Sequence, residues 1–131
     1  MRVAFIDDEE ENRRQWLEWG LFHKHTVKAF EDVFTANQWR ADIYVFDISA
    51  LCPMLDQHSA YSPICALMED HPGAVIVIGS AVGYSYAENV LDDVERVSGT
   101  RPKYFDAARG FDGLDELMVE LTAELETKKD I

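Results

Sequence analysis

Short apolar, β-rich runs alternate with amphipathic stretches five times along this chain, and that order leaves few architectures open. "RVAFI" (Arg2–Ile6) reads as a buried strand. "EENRRQWLEWGLF" follows as a helix, with Trp16, Leu17 and Leu21 expected on its apolar face. "TVKAF" alternates Val27 and Ala29 with Thr26 and Lys28, the pattern of a second strand at a sheet edge. A short helix is expected from Glu31 to about Trp39, then a central strand in "DIYVFDI" (Asp42–Ile48). "SPICALMED" (Ser62–Asp70) predicts a helix with Ser62 as N-cap and Pro63 in its first turn. "HPG" marks a turn before "AVIVIGS", the most strand-like segment of all. "YAENVLDDVERVSG" sets Val90, Leu91, Val94 and Val97 at helical spacing and stops at Gly99. "KYFDA" predicts the last strand, and Leu114, Leu117, Met118, Leu121 and Leu125 form one stripe of a closing helix. Five βα units predict an α/β fold: a (βα)5, doubly wound, five-stranded parallel sheet.

The 131 residues predict a single domain spanning 1–131, with enough chain to bury a core. Lysine and arginine number 12 against 25 aspartates and glutamates, a formal charge of −13. That balance argues against binding nucleic acid or an anionic membrane surface and favours cations or basic partners, although plain solubility is the commoner reason for a chain-wide acidic balance. Cys52 and Cys65 have no metal-like spacing and read as reduced thiols, and "MRVAFI" is no secretory signal, so a cytoplasmic protein is expected. No apolar run reaches the length of a membrane span. No output domain is expected after the last helix and "TKKDI", so a signal would leave through protein–protein contact.

In a doubly wound sheet, ligands bind beyond the carboxyl ends of the strands. Asp7 and Asp8 close the first strand, Asp47 ends the third, and Ser80 followed by Ala81 ends the fourth. If strands one, three and four are central neighbours, three carboxylates and a hydroxyl converge there. Such a group is a hard oxygen site suited to Mg²⁺. A bound cation would offset a repulsion that otherwise pushes the carboxyl pKa values up. Each residue alone has an ordinary explanation as a helix cap or turn former; their order and co-occurrence carry the reading.

This arrangement resembles the receiver domain of two-component response regulators (the CheY-like superfamily), and the match covers most of the chain. "VAFIDDEEENRRQWLEW" looks like the receiver's opening strand with its acidic pair. "VKAFEDVFTANQWRADIYVFDI" resembles the segment that ends on the phosphoacceptor, here Asp47. "VIVIGSA" is similar to the fourth strand with its hydroxyl residue, and "FDGLDELMVEL" to the start of the last helix. The resemblance implies a flavodoxin-like, receiver-like fold in which Asp47 takes a phosphoryl group from a phosphohistidine. It implies that Asp7, Asp8, Asp47 and the backbone carbonyl of Ser49 hold Mg²⁺, and that Ser80 is the switch hydroxyl. A sensor histidine kinase or phosphotransfer protein is the implied partner, with the domain a monomer or weak dimer. The implied docking face is the fourth helix, fifth strand and fifth helix, here with Tyr84, Tyr86, Arg96, Tyr104 and Arg109.

Two departures from the receiver pattern stand out. Receivers end the fifth strand on a lysine followed by proline. Counted from Gly99 the position falls on Asp106; anchored on "FDGLDEL" it falls on Arg109, and Lys103 lies at the start of the strand. Arg109 is a candidate replacement, with a different reach and a fixed fork; it would also serve as an internal guanidinium holding the carboxylates apart. After Asp47, "ISALCPMLDQHSAYSP" is longer and more apolar than the usual compact loop, so that Leu51, Cys52, Met54 and Leu55 cover the site, form a contact surface or add to the core. Tyr104 or Phe105 would be the receiver's switch aromatic, or a plain core aromatic.

These departures leave three functional readings open. One is an atypical receiver phosphorylated at Asp47. The second is a pseudo-receiver or acidic decoy that docks a partner unmodified. The third is a small Mg²⁺-dependent phosphatase or phosphotransfer enzyme. Other chemistries fit less well. His23 and His25 have metal-ligand character without a further ligand nearby in sequence, and His58 and His71 sit in loops without partners. "IGSAVG" lacks the first glycine of a nucleophile elbow. A haloacid-dehalogenase-type phosphatase wants a second Asp where Ser49 stands.

Overall fold

The computed structural model describes residues 1–47, 61–80, 84–106 and 111–129; the side chains of 61–63, 80, 84–86, 111 and 125–129 lie outside that description. Strands β1 (Arg2–Ile6), β2 (Thr26–Phe30), β3 (Ile43–Asp47), β4 (Val75–Ser80) and β5 (Lys103–Asp106) alternate with helices α1 (Glu10–Phe22), α2 (Val33–Asn37), α3 (Tyr61–Asp70), α4 (Tyr84–Ser98) and α5 (Phe111–Lys129). The five strands form one sheet in the order β2-β1-β3-β4-β5. Every pairing is parallel, so β1, β3 and β4 are central and β2 is an edge, as the sequence predicts.

The near-continuous apolar runs of the central strands have a direct cause. Val3 and Phe5, Ile43 and Val45, and Val77 point to the face covered by α1 and α5, where Trp19, Leu114, Leu117, Met118 and Leu121 pack. Ala4 and Ile6, Tyr44 and Phe46, and Ile76 and Ile78 point the other way, onto Ala36, Ile64, Leu67, Val90, Leu91 and Val94 of α2, α3 and α4. A strand buried on both faces needs apolar residues at consecutive positions.

Helix α1 is rotated from the expected orientation. Leu17 is exposed and Leu21 is 79% exposed, while Trp19 and Gly20 are buried. Gly20 decides the rotation: a Cβ there would run into the Val27 side chain, so the helix approaches β2 over the one residue without a side chain. Helix α2 is shorter than the expected 31–39. The Asp32 side chain accepts the Thr35 N–H at 2.8 Å and caps the start, and Trp39 has turned back against Phe30. Helix α3 begins at Tyr61, so Ser62 lies inside its first turn. Helix α4 ends as predicted, with Gly99 at φ +84° and its N–H donating to the Glu95 carbonyl at 2.8 Å.

Candidate functional site

The β1–β3 register pairs Ile6 with Phe46, so Asp7 and Asp47 are the next residues on two adjacent parallel strands. Asp7 is fully buried, the one charged residue type so placed among the described residues. Its amide still donates to the Phe30 carbonyl at 3.0 Å, which ties it to the sheet edge. Its carboxylate accepts the Glu9 N–H at Oδ1 (3.0 Å) and the Trp16 indole N–H at Oδ2 (3.3 Å). Burial pushes the Asp7 carboxyl above its ordinary range, and the Asp47 charge pushes it further; the Glu9 amide, Trp16 and Asn12 pull it back. Asp8, next along the chain, is exposed.

Arg13, in the first half of α1, donates from Nη1 to the Asp7 main-chain carbonyl at 2.9 Å. Sequence reasoning sought an internal guanidinium at Arg109, which lies outside the described residues together with Ser49. The available signal was positional: a helix that follows the first strand directly brings its early residues back over that strand's end.

Asp47 is the last residue of β3 and pairs in register with Gly79. One step on, Ser80 pairs with Asp106, the last residue of β5. The backbone of Ser80 therefore stands at the carboxyl end of β4, and the residue at the carboxyl end of β5 is an aspartate. Lys103 pairs in register with Val77 at the other end of β5, and its Nζ lies 3.5 Å from Glu124 Oε1. Its place on the strand removes it as a substitute for the receiver lysine.

Trp16 stacks on Phe5 with centroids 4.8 Å apart and planes 6° from parallel, and meets Phe105 edge-on at 6.2 Å. Phe105 is buried, while Tyr104 is partly buried against the opposite layer. Of the proposed docking residues, Arg96 is exposed and pairs with Asp93 at 3.1 Å. Tyr84 and Tyr86 lie in the first turn of α4, their side chains outside the description, as are Leu51, Cys52, Met54, Leu55 and His58.

Two histidines differ from the expectation. His71 does have partners: its Nε2 lies 2.8 Å from the Asn37 carbonyl and its ring 5.4 Å from that of Tyr44. The ordered turn after α3 creates these contacts. His23 reaches Asp115 of α5, with Nε2 3.2 Å from Oδ1, an approach across helices that sequence distance hides. Among the described residues, no three His, Cys, Asp or Glu side chains gather into a metal-holding cluster, either here or around Asp7, Asp8 and Asp47. The pair Asp7–Asp47 does suit Mg²⁺, which binds through one or two carboxylates and keeps its waters. A buried carboxyl with a raised pKa beside a second carboxylate is also the electrostatic state that a divalent cation relieves.

No family model matches the sequence, and no curated protein does. Solved structures do match. A response regulator from Thermotoga maritima superimposes with a TM-score of 0.68 at 13% identity, covering 93% of this chain and 97% of that one. The isolated REC domain of RcsB from Salmonella enterica serovar Typhimurium, in the apo form, gives 0.70 at 13% identity, with 95% and 89% covered. The chain has the receiver fold. A third receiver, the response regulator TrrA of Thermotoga maritima in complex with Mg²⁺–BeF, gives 0.66 at 18% identity, with 92% and 97% covered. TrrA is also similar to this chain in its complex with the histidine kinase ThkA, at 0.67 and 18% identity, with 92% and 97% covered. Among the described residues, no helix of this receiver fold is long and apolar enough to cross a membrane.

Proposed function

We propose that this protein is a receiver-type signalling domain that acts through protein–protein contact, with Asp47 as its phosphoacceptor. The observation that carries the reading is the buried Asp7 carboxyl, raised in pKa by burial and by Asp47 at the carboxyl edge of the sheet. An Asp47 Oδ would attack the phosphorus of a phosphohistidine; the P–N bond breaks as the acyl phosphate forms, and the imidazole leaves. Asp7, Asp8 and Asp47, together with the backbone carbonyl of Ser49, would hold Mg²⁺, which when bound shields the phosphoryl charge. Ser80 would donate its hydroxyl to a phosphoryl oxygen. Arg13, fixed on the Asp7 carbonyl, keeps the entrance to α1 in place. The partner proposed is a sensor histidine kinase or phosphotransfer protein, by analogy with the kinase-bound receiver.

A second reading rests on Asp106. An aspartate in register with Ser80 adds negative charge where receivers carry an ammonium, and favours a pseudo-receiver that docks its partner unmodified. Intact mass after incubation with Mg²⁺ and acetyl phosphate, beside Asp47→Asn, separates the two. Gain of one phosphoryl group that vanishes in the variant supports the receiver. A folded protein that gains nothing, and whose stability does not respond to Mg²⁺, supports the pseudo-receiver and sinks the first reading.

A further inference from the structure

The Asp7 carboxylate is held from two sides by donors of different kinds. The Glu9 amide on Oδ1 is an ordinary feature of the turn into α1. The Trp16 indole on Oδ2 is not local: it comes from two turns along the helix, nine residues away in sequence. The indole has little freedom of its own, because it is stacked on Phe5 and closed at its edge by Phe105. Phe105 in turn fills the room left by Gly79, the register partner of Asp47. One ring thus contacts the acid that follows β1 and the aromatic on β5, and the rings that fix it belong to the buried layer between the sheet, α1 and α5.

We propose that Trp16 is the positioning residue of the acidic pocket: its N–H fixes the Asp7 carboxylate in the orientation from which, with Asp47, it binds a divalent cation. The inference rests on the Mg²⁺ half of the function proposed above. A carboxylate that loses an outer partner keeps its charge but not its aim, and metal affinity is sensitive to that aim. Aromatic packing alone does not require an N–H, so a purely structural role and a positioning role separate chemically.

The test compares Trp16 with two replacements that keep a ring in the stack: Trp16→Phe, and benzothienylalanine at position 16, which keeps the two-ring shape with sulfur in place of N–H. Mg²⁺ affinity is read by calorimetry, and indole emission is followed in a Trp19→Phe, Trp39→Phe background that leaves Trp16 as the single reporter. Melting curves and amide spectra establish that each variant is folded. The expected result is a loss of about tenfold or more in Mg²⁺ affinity in both replacements. In the reporter background, Mg²⁺ should shift Trp16 emission, and Asp7→Asn should abolish that shift. Replacements that bind Mg²⁺ as tightly as the parent overturn the inference and leave the proposed pocket standing. A parent protein that binds no Mg²⁺ at tens of millimolar overturns the inference together with the metal half of the proposed function.

Discussion

The ring of Phe105 fills the space that a side chain at Gly79 would need, so β4 and β5 fit together because position 79 carries no Cβ. Gly79 lies between Asp47 on β3 and Phe105 on β5, directly before Ser80. The ring is buried and packed against Trp16 in a T-shaped pair, so it has little room to shift. Gly79→Ala should therefore destabilise the fold by about 1–3 kcal/mol, the usual cost of overpacking. Denaturant unfolding measures this, and Phe105→Leu in the same background should recover part of the loss. Additive losses in the double variant would contradict the contact.

Gly20 on α1 makes the converse case. Alanine is the better helix former by about 1 kcal/mol, yet its Cβ would run into the branched Cβ of Val27 on β2. The Val27 side chain is short, branched and stiff on its strand, so the steric term should win and Gly20→Ala lowers the unfolding midpoint. A variant more stable than the parent would show that α1 can slide on the sheet.

Asp7 sets one pH dependence. Its folded pKa lies above its unfolded value, through burial first and the Asp47 charge second. A raised carboxyl contributes stability that is complete below the unfolded pKa and is lost as pH rises through the folded one. In chelator at neutral pH, Asp7→Asn should raise the melting temperature and flatten the acid side of the stability profile. Mg²⁺ should raise the melting temperature of the parent and leave Asp7→Asn unchanged.

His25 sets another, of opposite sign. Burial, the N-terminal ammonium and His23 all lower its pKa. The unfolded chain then binds the proton more readily, so stability should fall as pH drops through the ordinary histidine range, about 6.5. His25→Gln should reduce that slope between neutral pH and pH 5, measured by urea unfolding at each pH.

Asp106 offers a gain-of-function experiment. Because it faces Ser80 in register, Asp106→Lys places an ammonium at the carboxyl edge of the sheet, with β4 between it and the strand that ends on Asp47. The expected outcome is a larger fraction of protein carrying a phosphoryl group after acetyl phosphate treatment, read by intact mass. Lys103→Ala, at the far end of the same strand, should not change that fraction.

The strand count, the sheet's central members and the convergence of Asp7 with Asp47 were all legible in the sequence. Consecutive apolar residues in β1, β3 and β4 admit one explanation, burial on both faces, and the end of each run marks a carboxyl edge. The terminus of α4 was legible for the same local reason: Gly99 adopts a φ that other residues resist. The aromatic and cationic contacts around the site were not. Arg13 and Trp16 lie in a helix whose spacing assigns Trp16, Leu17 and Leu21 to one apolar face, whereas the structure turns Trp16, Trp19 and Gly20 inward and leaves Leu17 and Leu21 exposed.

What the sequence determined by itself was therefore the order of elements and the residues that end each strand, because both follow from short-range periodicity. The tertiary structure alone decided which residues of α1 turn inward and that an indole closes on Asp7. Those outcomes depend on how closely two packed surfaces can approach. At α1 the approach is set by the missing side chain of Gly20 against Val27, a steric fact between residues that no local pattern connects.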